Sequence, residues 1–322
     1  GRDLLRVRLD ATNPARFDIP TTGTNMTRLA FDRDTDNEFV VGKLFYRFPL
    51  TDDLRFTIDG TRGAYQTNVD TFSSIFFNPV SGAVSRFGRF NPIYYQGVGG
   101  AGVTANYDIS DAVSLSAGYL ARNPEDPEPG SGLFNGSYAA LAQLEIYPDD
   151  DLSFGLTYVR SYFPGGRAFV SGATGSRLAN APFGQIATSA HQFGLQSSWQ
   201  LSNQFVLSGW AGLSLANAEV ESATVEEGDD ASIFNWAVSL AALDVGQEGN
   251  SLGLLVGQPP KVLDNDSGPE DEGTSWHLEG FYRYRLTDNI ELIPGVLVIV
   301  NPEHDSSNDT IFGANLRTVF RF

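Results

Sequence analysis

The chain has 322 residues, 41% of them hydrophobic, and sets 39 acidic against 21 basic side chains for a formal charge of −18. Such an acidic balance excludes general nucleic-acid binding, which works by neutralising phosphates. Zero cysteines exclude a disulfide scaffold, a thiolate zinc site and a thiol nucleophile.

Apolar runs stay short. The best, Leu292 to Val300, has nine residues and contains Pro294 and Gly295, against the roughly 18 that a membrane helix needs. The dominant period is two instead, the mark of strands with one greasy and one wet side. In chain order it predicts strands at 3–11, 39–50, 53–60, 97–107, 112–121, 137–147, 152–161, 189–200, 205–217, 232–243, 251–257, 275–286, 289–300 and 311–322. Two of them illustrate the pattern. Trp276, Leu278, Tyr282, Tyr284 and Leu286 alternate with His277, Glu279, Phe281, Arg283 and Arg285. At the end, Phe312, Ala314, Leu316, Phe320 and Phe322 oppose Asn315, Arg317 and Arg321.

Between strands, short and long links alternate. The short ones are L-T-D-D-L (50–54), I-S-D-A-V (109–113), P-D-D-D-L (148–152), L-S-N-Q-F (201–205) and L-T-D-N-I (286–290), rich in residues that bond their own backbone in tight turns. The long ones, at 12–38, 61–96, 122–136, 162–188, 218–231, 258–274 and 301–309, are polar. This rhythm describes an all-β fold: a transmembrane antiparallel up-and-down β-barrel with long extracellular loops and short periplasmic turns. Strands of about ten residues suit a tilted bilayer crossing, and closure removes the edges of so wide a sheet. Fourteen strands are visible. Gly1-Arg2-Asp3-Leu4 reads as the trailing half of another short turn, so an even count gives 16 in the intact protein. A soluble sandwich also alternates, but aromatics near strand ends (Phe48, Tyr107, Trp199, Tyr284, Phe320, Phe322) read as an interfacial girdle.

The turn rhythm, Y-R-Y-R-L-T-D-N-I-E-L-I-P-G-V (282–296), N-L-R-T-V-F-R-F at the end, D-L-L-R-V-R-L (3–9) and G-T-N-M-T-R-L-A-F (23–31) resemble the cyanobacterial outer-membrane porins. These are grouped with the carbohydrate-selective (OprB-type) porins and often labelled iron-uptake porins. The resemblance runs over the whole chain, residues 1–322 as one pore domain. It implies a trimeric diffusion channel in contact with outer-membrane lipid and lipopolysaccharide. It also implies an upstream signal peptide and a periplasmic S-layer-homology domain that holds cell-wall polymer, neither within this chain.

A passive channel needs a wet lumen, a narrowing and charges that bias passage. By parity, Arg6, Arg8, Lys43, Arg47, Arg55, Arg283, Arg285, Arg317 and Arg321 face inward, against Asp10, Asp59 and Glu279. The acidic excess sits in loops, as in E-E-G-D-D (226–230) and D-N-D-S-G-P-E-D-E (264–272). The basic residues fall on the first three and last three strands, excepting strand 289–300, so closure gathers them into a positive arc. That arc either favours anions or pairs with an infolded loop. The long link 61–96 is the candidate: Asp70, Phe72, Phe76, Arg86 and Arg89 lie in a stretch with too many phenylalanines for a loop in water. It either constricts the pore or latches a trimer. Strand 289–300, apolar on both faces, fits an inner wall packed by a loop.

Other chemistry is weaker. G-V-G-G-A-G (97–102) lacks the strand-turn-helix context of a phosphate loop, and 264–272 lacks calcium-loop spacing. The histidines, His191, His277 and His304, lie far apart, with no nucleophile motif beside them. The reading is therefore a porin with no enzymatic activity, no cofactor and no metal, passing small hydrophilic solutes and inorganic ions. The alternatives are a sugar-selective porin and a gated receptor or adhesin barrel.

Overall fold

The computed structural model describes residues 2–322. It is one antiparallel sheet of 14 strands in sequence order: β1 (Leu4–Asp10), β2 (Val40–Pro49), β3 (Leu54–Thr61), β4 (Ala101–Ser110), β5 (Val113–Ala121), β6 (Tyr138–Ile146), β7 (Leu152–Phe163), β8 (Thr188–Ser202), β9 (Phe205–Ala218), β10 (Asp230–Leu243), β11 (Ser251–Asn265), β12 (Trp276–Thr287), β13 (Ile290–Val300) and β14 (Ile311–Phe320). The turn residues do what their chemistry suggests. Asp149 Oδ1 accepts from the backbone of Asp151 and Leu152 at 3.0 and 2.9 Å, and Thr51 Oγ1 accepts from Leu54 N at 3.0 Å. Ser202 and Thr287 hydroxyls close their turns in the same way.

Each strand sorts its side chains by parity, because successive residues point to opposite faces. The register lines up Leu115, Leu144, Leu156 and Leu195 across β5 to β8 on one face, and Ser116, Gln143 and Thr157 on the other. The leucine face is exposed, with Leu115, Leu156 and Leu195 all open, whereas the polar row is buried. Such inversion of the soluble pattern suits a surface that meets lipid. Aromatic stacks mark both ends of the apolar band: Tyr46, Phe48 and Phe56 by the short turns, and Tyr119, Tyr138 and Tyr162 by the long loops.

The sheet curls around its own connection. Residues 62–100, between β3 and β4, touch β5, β6, β7, β9, β12 and β14 on the polar face alone. A single segment can reach strands so far apart in sheet order only if the sheet wraps round it as a barrel. The interior is therefore a core in its own right. One cluster joins Met26, Phe76, Val84, Phe87, Trp210, Phe281, Ile293, Leu297 and Ile299; another joins Tyr65, Phe90, Ile93, Tyr94, Leu120 and Val159. Ile293, Leu297 and Ile299 make β13 apolar on its inner face because the loop covers them.

Two strands, β4 and β11, depart most from expectation. β4 begins at Ala101, because Gly97 and Gly99 take φ of +69° and +97° and belong to the loop. β11 continues through Pro259 and Pro260 to Asn265. Its pairing with β12 spans Ser251 to Gly257, so the prolines lie past that neighbour, and towards β10 they fall at the register shift between Phe234 and Trp236, where a missing N–H breaks no regular ladder.

Candidate functional site

The lumen is organised by segment 62–100, which follows the inner wall from β5 round to β14. Its first anchor is Tyr65, whose hydroxyl donates to the carbonyls of Gly118 at 3.1 Å and Ala139 at 2.6 Å. Asn68 Nδ2 donates to Asp59 at 2.6 Å and Thr104 at 3.1 Å. Farther round, the Tyr94 hydroxyl donates to Gln143 Oε1 at 2.7 Å and lies 3.1 Å from Thr157 Oγ1. Burial pushes that hydroxyl's pKa well up. Asn91 Nδ2 reaches the carbonyl of Ala211 at 3.1 Å. On the far side the loop meets β12 and β14, where buried Glu279 accepts from Val84 N, Ser85 N and the Ser85 hydroxyl.

The expected loop residues take distinct places. Asp70 is exposed, with its carbonyl held by Gln143 Nε2 at 2.8 Å. Phe72 is buried against β7, and Phe76 packs edge-on to Phe281 at 5.3 Å between centroids. Arg86 lies 3.5 Å from the centre of the Tyr95 ring and donates to the carbonyl of Gly172 at 2.9 Å. Burial pushes its pKa down to about 9. Arg89 is buried over Phe90 and donates to the carbonyl of Phe77. Arg89 is thus bonded into the loop's own fabric, while Arg86 also ties the loop to the connection between β7 and β8.

The wall arginines divide by partner. Arg8 pairs with Asp10 at 2.9 Å, Arg285 with Asp288 at 2.8 Å and Arg321 with Glu291 at 2.6 Å. Lys43 is buried between Asp59 at 3.7 Å and Thr67 Oγ1 at 2.5 Å. Arg47 donates to Thr57 Oγ1 and the Thr67 carbonyl, both at 3.0 Å. Arg317 donates to the carbonyls of Pro79, Gly82 and Ala83 at 3.4, 2.7 and 3.1 Å. Arg6 and Arg55 are exposed, and Arg283 is half-buried. Arg6, Arg8, Lys43, Arg47 and Arg55 share one inner patch on β1–β3 through their register. The strand pairs join β1 to β2 and β13 to β14; among the described residues none joins β1 to β14.

Beside the loop, polar space remains near the short-turn end. A cavity of about 440 Å³ is lined by Arg47, Arg55, Asn106, Asp108, Glu145 and Tyr147 with loop residues Asn68 and Asp70. A second, of about 540 Å³, shares Asp70 and Tyr147 and reaches Asp149 and Asp151 of a turn. Carboxylates thus face two guanidinium groups across water-sized space.

Sequence parity missed the glycines of the inner wall. A methyl group on Gly118 would lie 2.8 Å from the Tyr65 ring, and one on Gly295 would lie 2.5 Å from Val84. One on Gly155 would strike the Phe72 ring, and one on Gly194 would strike Ile93. These positions are sockets for loop side chains, and an inward glycine in mid-strand was the available signal. The long-loop end is knit as well: Glu303 accepts from Thr24 Oγ1 and Arg177 N, and Asp271 from Ser176 Oγ.

Comparison with known proteins places the molecule. The chain is 40% identical to an uncharacterized protein of the cyanobacterium Synechocystis sp. across all of its length and 61% of that protein's; it spans about three fifths of the curated relatives it matches. Among solved structures it is similar to Pseudomonas putida OprB (TM-score 0.61, 12% identity, 99% of this chain and 82% of that one). It also resembles an anion-selective porin from Comamonas acidovorans (0.55, 10%, 89% and 76%) and a trimer form of OmpT from Vibrio cholerae (0.50, 10%, 88% and 92%). At such identities the likeness is one of fold, that of outer-membrane porin barrels. The model of the carbohydrate-selective porin, OprB family, matches residues 1–322, and the chain belongs to that outer-membrane family.

Proposed function

We propose that the chain is the pore of a passive diffusion channel for small hydrophilic solutes and inorganic ions, narrowed by segment 62–100. The observation that carries this is the polar space beside the loop, bounded by Arg47 and Arg55 on the wall and by Asp70 on the loop. A channel selects through the charge and width at its narrowest water-filled part. Here the guanidinium groups of Arg6, Arg55 and Arg283, which carry no salt bridge among the described residues, bias passage towards anions. The exposed apolar band meets outer-membrane lipid and lipopolysaccharide, and the assembly is a homotrimer, as the trimer form of OmpT encourages.

The test is single-channel current of the full-length protein in a planar bilayer under a salt gradient. Steps that close in threes and a reversal potential of anion-selective sign are expected. Replacing Arg6, Arg55 and Arg283 together by Gln moves that potential towards zero. An unchanged potential removes these arginines from selectivity, and silence from a folded barrel refutes the channel. A second reading, a sugar-selective pore, is favoured by the family description and by the hydroxyl and amide groups of Ser114, Ser116, Asn68 and Asn106 in the same cavity. Swelling of protein-loaded liposomes in isotonic sugars separates the two.

A further inference from the structure

Loop residues 79–85 are gripped by two wall side chains of opposite charge. From β12, the Glu279 carboxylate takes donors: Val84 N, Ser85 N at 3.1 Å and the Ser85 hydroxyl at 2.5 Å. From β14, the Arg317 guanidinium takes acceptors: the carbonyls of Gly82 at 2.7 Å, Ala83 at 3.1 Å and Pro79 at 3.4 Å. Both residues are less than a tenth exposed, so neither needs this geometry to meet water. Backbone groups cannot be varied by side-chain drift, so the contact fixes the main chain itself. Wall and loop make room for each other, since Gly295 of β13 admits Val84 and Gly88 of the loop admits Glu279.

Ser85, His277 and Glu279 look at first like a hydrolytic triad. The geometry is wrong for one. His277 Nε2 lies 3.1 Å from Ser85 Oγ and 3.2 Å from Glu279 Oε2, so one ring nitrogen serves both neighbours. A triad uses the two nitrogens in opposite directions. The Ser85 hydroxyl is fully buried and also accepts from Gly88 N at 2.8 Å. The trio is a fastening.

We infer that Glu279 and Arg317 are positioning residues that latch segment 79–85 to the wall and so hold the pore at its working width. The width rests on the constriction reading above; the latch does not. The chain has no cysteine, so Val84→Cys in the full-length protein gives a single reporter thiol, buried while the segment is docked. A water-soluble maleimide reads the undocked fraction, because opening must precede labelling. Glu279→Gln and Arg317→Gln are each expected to speed labelling about tenfold, the scale of one charge-assisted bond, while Arg317→Lys restores most of the protection. Ser85→Ala serves as a milder variant, and only barrels that keep heat-modifiable mobility are scored. Labelling unchanged in the folded variants overturns the latch. Faster labelling with larger, noisier single-channel currents supports both latch and constriction. Faster labelling with unchanged currents supports the latch and overturns the constriction.

Discussion

Asp271 and His304 titrate in opposite senses within the long-loop end of the barrel. Burial pushes Asp271 up to about 6, against two hydrogen bonds that its Oδ2 accepts from Ser176 Oγ and Val262 N, each 2.8 Å. Burial pushes His304 down to about 4, while Nδ1 accepts from Ser275 N at 2.9 Å. The signs follow from linkage. Between the ordinary carboxylate value and about 6, folded Asp271 holds a proton that the unfolded chain has released, so its contribution to stability falls as pH rises. Between about 4 and the ordinary imidazole value, folded His304 lacks a proton that the unfolded chain holds, so its contribution falls as pH drops. Each is worth about 3 kcal/mol at most, and between pH 4 and 6 they offset one another. Asp271→Asn keeps both bonds, since one oxygen accepts them, and deletes one slope. The variant should match or exceed the parent in thermal stability at pH 7, then lose stability relative to it by about 1–2 kcal/mol at pH 4.5. Parallel pH profiles would refute the assignment. Neither residue was legible beforehand: Asp271 lies in an acidic run that reads as a solvated loop, and only the packing of four loops buries it.

Strands were legible where one face is wet and the other greasy, and opaque where tertiary packing overrides local chemistry. Hairpins with Asp149, Thr51 and Ser202 announced themselves because the turn residue closes its own backbone. Pro259 and Pro260 hid the last half of β11, because a strand tolerates proline only at an edge or a bulge, and that depends on where β12 starts and where β10 shifts register. The phenylalanines of 61–96 announced a covered loop, on the inner wall or against a neighbouring subunit, but not its path, because the path is written in the wall's glycines. Those sockets carry a prediction. Gly155→Val places a branched side chain where the Phe72 ring lies. It should destabilise the docked loop by about 1–3 kcal/mol and open 70–78 to limited proteolysis in an otherwise folded barrel. Gly313→Ala is the control, since its methyl group would meet Leu297 at an ordinary 3.7 Å. Equal protease resistance of the two variants would show that the socket does not position the loop.

Across the whole molecule charge is sorted by depth, and the net −18 conceals it. Carboxylates crowd the rims, at Asp149 to Asp151 beside one mouth and Glu226, Glu227, Asp229 and Asp230 beside the other. Basic side chains hold the inner faces of β1–β3, β12 and β14. Solvent ions treat the two sets differently. The Debye length shrinks from about 10 Å at 0.1 M salt to about 3 Å at 1 M, and exposed charges are screened before enclosed ones. At low salt the acidic rims enrich cations at the mouths and oppose the guanidinium groups inside. At high salt the rims fall silent first. Raising both bath concentrations at a fixed ratio should therefore move the reversal potential towards anion preference, before screening weakens all selectivity. Neutralising the 149–151 turn to Asn should produce the same displacement at 0.1 M and little at 1 M. A displacement towards cations on adding salt would mean that the guanidinium groups are screened before the rim carboxylates, and would overturn the sorting of charge by depth.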